Sequence, residues 1–178
     1  MVVAEGQDQA PESWETSFDG KVVVIGLGNP YMRDDDIGLK AVARLRTLGL
    51  GAGVFFYETQ NLDLPLLWQF GKARKIVVLD ALRSEQPPGT ITVYTIAPNK
   101  NRTVSQLPTL HAVQLHDLFD MAVDGGLLSC PVVIVGAEPK DCSVGEGLTE
   151  ELEAAIQPMI MEALRQINMD VISESAAP

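Results

Sequence analysis

The chain has 178 residues, of which 46% are hydrophobic and 21% charged, and its formal net charge is −11. This length and composition predict one folded domain and exclude a disordered chain. The negative charge argues against nucleic acid and anionic membrane surfaces as partners. No apolar run approaches the roughly 20 residues that a membrane-spanning helix needs.

The chain divides into three parts by composition. Residues 1–19 are polar, acidic and aperiodic, without the basic and apolar regions of a signal peptide, and they predict a disordered leader. A single α/β domain is expected over 20–168, followed by a flexible tail at 169–178. Cys130 and Cys142 match no metal or disulfide pattern, which favours two reduced thiols. We therefore expect a cytoplasmic protein, and we expect a monomer because no interface for self-association is evident.

The strand predictions, in chain order, are 21–26, 53–58, 75–81, 90–96 and 131–137. Three of them are continuous β-branched apolar runs such as "KVVVIG", which is the pattern of strands covered on both faces. The strand at 90–96 follows its predecessor through "SEQPPG", which leaves no room for a crossover helix. It is therefore predicted to be antiparallel or to lie at an edge of the sheet.

Helices are predicted at about 35–49, 62–71, 111–123 and 148–168. The first has one apolar stripe, made of Ile37, Ala41, Leu45 and Leu48. The last has Thr149 as its expected cap, and acidic residues follow in its first turn. Alternating strands and helices predict a three-layer αβα sandwich around a mostly parallel, twisted, five-stranded sheet. Ligands of such sheets bind at the carboxyl ends of the strands.

The first strand leads into "GLGNPYMRDDDIG", residues 26–38. A dinucleotide loop would have a third glycine where Tyr31 stands, and it would not place three aspartates where a pyrophosphate must bind. One aspartate at a helix start is explained by capping, but three exceed what capping requires. The loop therefore argues against a nucleotide and favours a cation.

Asp80 ends the apolar strand "KIVVLDA", where a charge is costly unless it is paired or bound to a ligand. The two histidines, His111 and His116, are five residues apart on one predicted helix and cannot share a metal ion. His111, at the helix start, could converge with Asp80 and a loop aspartate. Two carboxylates and one imidazole would form an open site for nickel or zinc.

These segments together resemble the hydrogenase maturation endopeptidases, which remove the C-terminal extension of the nickel–iron hydrogenase large-subunit precursor after nickel insertion. The resemblance covers about 21–168 and rests on "GLGNPYMRDDDIG", "VVLDA", "TLHAVQL" and "VVIVGAEPKDCSVGEGLTEELEAAI". It implies a phosphorylase/hydrolase-like fold. One departure is the loop "ETQNLDLP", where many members have a glycine-rich turn. The resemblance implies that this loop borders the cleft and marks a different hydrogenase partner.

Carried over by position, the resemblance implies that Asp35, Asp80 and His111 are the catalytic and metal-binding residues. Gly28 and Asn29 are expected to shape the cleft beside them. The nickel would be the precursor's own, recognised by the three side chains, or a bound metal would activate water; the sequence leaves both open. A nonenzymatic nickel-sensing chaperone or scaffold is the alternative to a protease.

Overall fold

The structure is a computed structural model that describes residues 18–96 and 110–169, with the backbone alone described for 110–114 and 116. Its strands are β1 (Val22–Leu27), β2 (Val54–Thr59), β3 (Lys75–Ala81), β4 (Ile91–Ile96) and β5 (Val132–Ala137). Its α-helices are α1 (Ile37–Arg46), α2 (Leu64–Gln69), α3 (Leu110–Asp124) and α4 (Glu150–Asn168). A 3₁₀ turn, Arg33–Asp36, precedes α1.

The strands form one five-stranded sheet within the described residues, in the order β2-β1-β3-β5-β4. β1 pairs in parallel with β2 and β3, and β3 pairs in parallel with β5. β4 is antiparallel to β5 and lies at the edge. The predicted mostly parallel sheet is confirmed, and so is the predicted direction of the fourth strand. The carboxyl ends of β1 and β3, which are neighbours, thus lie at the same edge of the sheet.

A separate apolar core covers each face of the sheet, as expected for strands without polar alternation. Val22 and Val24 point to one face, where they pack with α1 and α4. Val23 and Ile25 point to the other face, where the core includes residues of α2 and α3. The predicted three-layer arrangement is therefore confirmed. Cys130 lies in the second core as a free thiol, and burial raises its pKa to about 11.

The first predicted helix is too long at both ends. The 3₁₀ turn occupies 33–36, and α1 ends at Arg46, so Leu48 lies outside the helix and is 52% exposed. Its assignment to the apolar stripe was wrong. The next residue, Gly49, has φ +64°, a left-handed conformation that commonly ends helices.

The division into leader, domain and tail stays a prediction, since 1–17 and 170–178 lie outside the described residues. Phe18, which the sequence placed in the leader, is buried and makes edge contacts with the rings of Phe55 and Phe70. The described packing therefore includes residue 18. Among the described helices, none is long and apolar enough to cross a membrane.

Candidate active site

A cleft with a volume of about 230 Å³ opens at the carboxyl edge of the sheet. It lies where β1 and β3 end, which is the edge predicted to bind ligands. Asp35 and Asp80 both line it, together with Gln60 and Asn61 of the loop after β2. Leu62, Leu115 and Leu118 add apolar surface. The cleft thus combines two carboxylates and two carboxamides with an apolar wall.

Two glycines allow the 3₁₀ turn that carries the aspartates, and the start of α1, to lie close to the ends of β1 and β3. Gly28 lines the cleft with φ +155°, and a Cβ atom there would lie 1.9 Å from the carbonyl oxygen of Asp35. Gly38 in α1 is equally confined, because its Cβ would lie 2.2 Å from the carbonyl oxygens of Leu27 and Leu79. Any side chain at these positions would push the turn away from β1 and β3.

Asn29 shapes the same loop through local hydrogen bonds. Its side-chain Oδ1 accepts from the backbone N–H of Tyr31 at 3.0 Å, and its carbonyl accepts from Met32 at 3.0 Å. Such a turn formed by asparagine reverses the chain without regular secondary structure. Arg33 then has φ +45°, an uncommon value for a residue with a side chain. The three aspartates follow directly after this turn.

The three aspartates have different surroundings because they occupy a 3₁₀ turn. Such a turn has three residues per turn, so successive side chains are about 120° apart. Asp34 is fully buried and accepts four hydrogen bonds from residues 140–149. Asp36 forms an ion pair with Lys40 at 3.2 Å. Asp35, between them, lines the cleft.

Asp80 is 5% exposed at the end of β3, and its environment disfavours its charge. Burial raises the pKa of its carboxyl well above the ordinary value, and the negative charge of Asp35 raises it further. The N–H of Ala81 donates to its Oδ1 at 2.8 Å and acts in the opposite direction. A cation between the two carboxylates would offset both the cost of burying the Asp80 charge and its repulsion by Asp35.

The third predicted ligand, His111, has its backbone in the first turn of α3, but its side chain lies outside the described residues. The same holds for His116. No group of three or more potential metal ligands occurs among the side chains that the structure describes. The structure thus brings Asp35 and Asp80 to one cleft, and the complete set with His111 stays a prediction.

A family model for hydrogenase maturation proteases matches residues 60–166, which is more than half of the chain. The chain belongs to the hydrogenase maturation protease family. The matched range includes Asp80 and His111 and begins after the loop that carries Asp35.

Individual relatives extend the similarity to the first loop. The hydrogenase 2 maturation protease of Escherichia coli is 25% identical over 165 residues, covering 88% of this chain and 98% of its own length. The coenzyme F420 hydrogenase subunit delta of Methanothermobacter thermautotrophicus is 22% identical, covering 85% of this chain and 98% of its own. The solved structure of the hydrogenase maturating endopeptidase HybD of Escherichia coli has a TM-score of 0.68 at 24% identity. The match covers 83% of this chain and 91% of that one. This last similarity shows the fold.

Two other acidic residues at strand ends have structural partners in this member of the family. Glu58, near the end of β2, forms an ion pair with Arg46 at 2.9 Å. Glu138, after β5, is buried and accepts hydrogen bonds from Ser84 and from the backbone of Gln86. The sequence analysis did not single out Glu138, although an acid after a fully apolar strand is the same signal that selected Asp80.

Sequence reasoning missed the contribution of Leu115 and Leu118 to the cleft. Gln60 and Asn61 belong to the "ETQNLDLP" loop, which was expected to border the cleft, and they do line it. Leu115 and Leu118 lie on α3 after His111, and nothing distinguishes their pattern from that of core leucines.

Proposed function

We propose that this chain is an endopeptidase that removes the C-terminal extension of a nickel–iron hydrogenase large-subunit precursor after nickel insertion. The observation that carries the proposal is the convergence of Asp35 and Asp80 on one cleft in a member of the hydrogenase maturation protease family. A pair of carboxylates in a partly apolar cleft suits a divalent cation and not an anion.

His111 is proposed as the third ligand for the precursor's nickel. Residues 111, 115 and 118 follow the i, i+4, i+7 spacing of one helix face, and Leu115 and Leu118 line the cleft. Two carboxylates and an imidazole match the donors that nickel accepts. In the proposal, nickel bound in the precursor reaches Asp35, Asp80 and His111, which places the neighbouring peptide in the cleft. Cleavage would then be restricted to precursors that already contain nickel.

The test is to incubate the purified chain with the nickel-loaded precursor from the same organism and to measure the mass of the large subunit. We expect the loss of one C-terminal peptide from the loaded precursor and no loss from a nickel-free control. Cleavage of both forms alike would contradict nickel recognition. An unchanged mass for the loaded precursor would contradict the protease.

A nonenzymatic role in maturation is the second candidate. It is favoured by the relative named as a hydrogenase subunit, which matches 85% of this chain, whereas the other relative is named a protease. In that case the same carboxylates would sense nickel without peptide cleavage. A stable complex with the loaded precursor, of unchanged mass after incubation, would support this candidate.

A further inference from the structure

Asp34 and Glu138 are buried carboxylates outside the candidate site. Their hydrogen bonds join the segment between β5 and α4 to the loops that carry Asp35 and Asp80. We propose that this connection, residues 138–149, positions the two cleft carboxylates by acting through Asp34 and Glu138. The inference rests on the proposed function, and it adds Asp34, Glu138 and Thr149 as positioning residues.

Asp34 holds the connection on the side of Asp35. Its Oδ2 accepts from the backbone N–H groups of Lys140 at 2.9 Å and Asp141 at 2.8 Å. Thr149 donates twice, from its backbone N–H to Oδ1 at 2.7 Å and from its hydroxyl to Oδ2 at 3.0 Å. Four donors around a fully buried carboxylate define its position strongly. The adjacent residue in the same tight turn is Asp35.

Backbone pairing reinforces this contact. The N–H of Arg33 donates to the carbonyl of Gly145 at 3.0 Å, and the N–H of Gly145 donates to the carbonyl of Tyr31 at 2.9 Å. The N–H of Asp34 itself donates to the carbonyl of Asp141 at 3.1 Å. The turn therefore cannot shift without displacing the connection.

Glu138 makes the equivalent contact on the side of Asp80. Its Oε2 accepts from the backbone N–H of Ser84 at 2.5 Å and from the Ser84 hydroxyl at 2.7 Å. It also accepts from the backbone N–H of Gln86 at 3.3 Å. This carboxylate is 7% exposed. It fixes the chain four residues after Asp80, where β3 has ended.

Positioning is needed because Asp35 and Asp80 are both acidic and lie in one cleft. Like charges at short range repel, and in the absence of a cation an unsupported loop would move Asp35 away. The hydrogen bonds of Asp34 and Glu138 hold the turn that carries Asp35 and the loop after Asp80 to the same connection, residues 138–149. The site is then preorganised, and the precursor's nickel need not reorder it.

The experiment compares Thr149→Val with Thr149→Ser in the processing of the nickel-loaded precursor. Valine keeps the shape and removes the hydroxyl, whereas serine keeps the hydroxyl. We expect kcat/KM to fall about tenfold for Thr149→Val, since small misplacements at a site have effects of this order, and to recover in Thr149→Ser. Asp34→Asn replaces one of two accepting oxygens by an NH2 donor, and Glu138→Met removes the accepting Oε2; both are expected to lower kcat/KM at least as much. Melting temperatures verify that each assay uses folded protein.

Glu151→Gln and Lys140→Met are the matched controls. They remove an exposed ion pair of 2.6 Å between the connection and the first turn of α4, but the backbone N–H of residue 140 remains for Asp34. Wild-type kcat/KM is expected for both. Wild-type kcat/KM in Thr149→Val would overturn the inference, as would the same loss in Thr149→Ser. If Asp35→Asn and Asp80→Asn process normally, it is instead the proposed function that fails.

Discussion

Asp34, Asp35 and Asp36 are chemically identical neighbours, and their surroundings alone distinguish them. The 3₁₀ turn separates their directions, and each direction meets a different element: the connection after β5, the cleft, and Lys40 of α1. The carboxylate of Asp34 has its hydrogen-bonding capacity used by four donors. Asp35 is the member of the triplet that lines the cleft.

We expect Asp35→Asn, Asp80→Asn and His111→Ala each to abolish processing. Each change removes one proposed ligand of the precursor's nickel, and loss of a ligand weakens binding far more than loss of an ordinary contact. The measurement is the mass of the large subunit after incubation with the nickel-loaded precursor.

Asp36→Asn and His116→Ala are the controls for this prediction. Asp36 belongs to the same acidic triplet, but it forms an ion pair with Lys40 and does not line the cleft. Both variants should process the precursor at close to the wild-type rate. Wild-type cleavage by His111→Ala would mean that the imidazole is assigned wrongly.

The C-terminal end of α4 is attached to the start of β3 by a buried lysine. The ammonium group of Lys75, which is 2% exposed, donates to the carbonyl of Gln166 at 2.6 Å and to that of Met169. The last carbonyls of a helix have no partner within the helix and bear partial negative charge. The Lys75 ammonium group supplies hydrogen-bond donors to them and an opposite charge. This contact joins two elements that are far apart in sequence.

We expect Lys75→Met to lower the free energy of unfolding by about 2 kcal/mol, because hydrogen bonds from a charged donor to buried acceptors are lost. Methionine preserves most of the apolar stem. Lys40→Met removes an ion pair whose lysine is partly exposed, and it should lower the free energy of unfolding by less than Lys75→Met. Urea denaturation measures both, and equal effects of the two variants would contradict the role of the buried contact.

Element boundaries were predictable where a local pattern determines them. Every predicted strand lies within one residue of the observed one at each end, because a run of β-branched residues is itself the signal. The end of α1 was not predictable to this precision, since Leu48 continues the apolar spacing past the point where the backbone leaves the helix. Thr149 begins α4 as predicted, but its hydroxyl donates to Asp34 instead of serving as a cap.

At the scale of the whole molecule, one sheet separates two apolar cores. Val23 belongs to the core that includes residues of α2 and α3, and Val24 to the core beneath α1 and α4. Both side chains are fully buried, and they are neighbours on β1. Damage to either core is therefore transmitted to the other through the same strand.

We expect Val23→Ala and Val24→Ala each to lower the free energy of unfolding by about 2 kcal/mol through lost contacts and residual cavities. Unfolding should stay a single cooperative transition in both variants, because neither core has a sheet of its own. Urea titrations followed by far-UV and near-UV circular dichroism check this. Two separated transitions in either variant would show that the cores are independent.

The sequence by itself determined the order of strands and helices, the mostly parallel sheet and the edge at which the cleft lies. Those features depend on local periodicity and on the lengths of connections, which can be read directly. Motif order also led to the family. The tertiary structure alone decided how each carboxylate is used. The donors to Asp34 come from residues 140, 141 and 149, and those to Glu138 come from 84 and 86, so no local pattern contains them. A carboxylate that binds a ligand and one that supports a loop have the same side chain, and they differ only in contacts made across the fold.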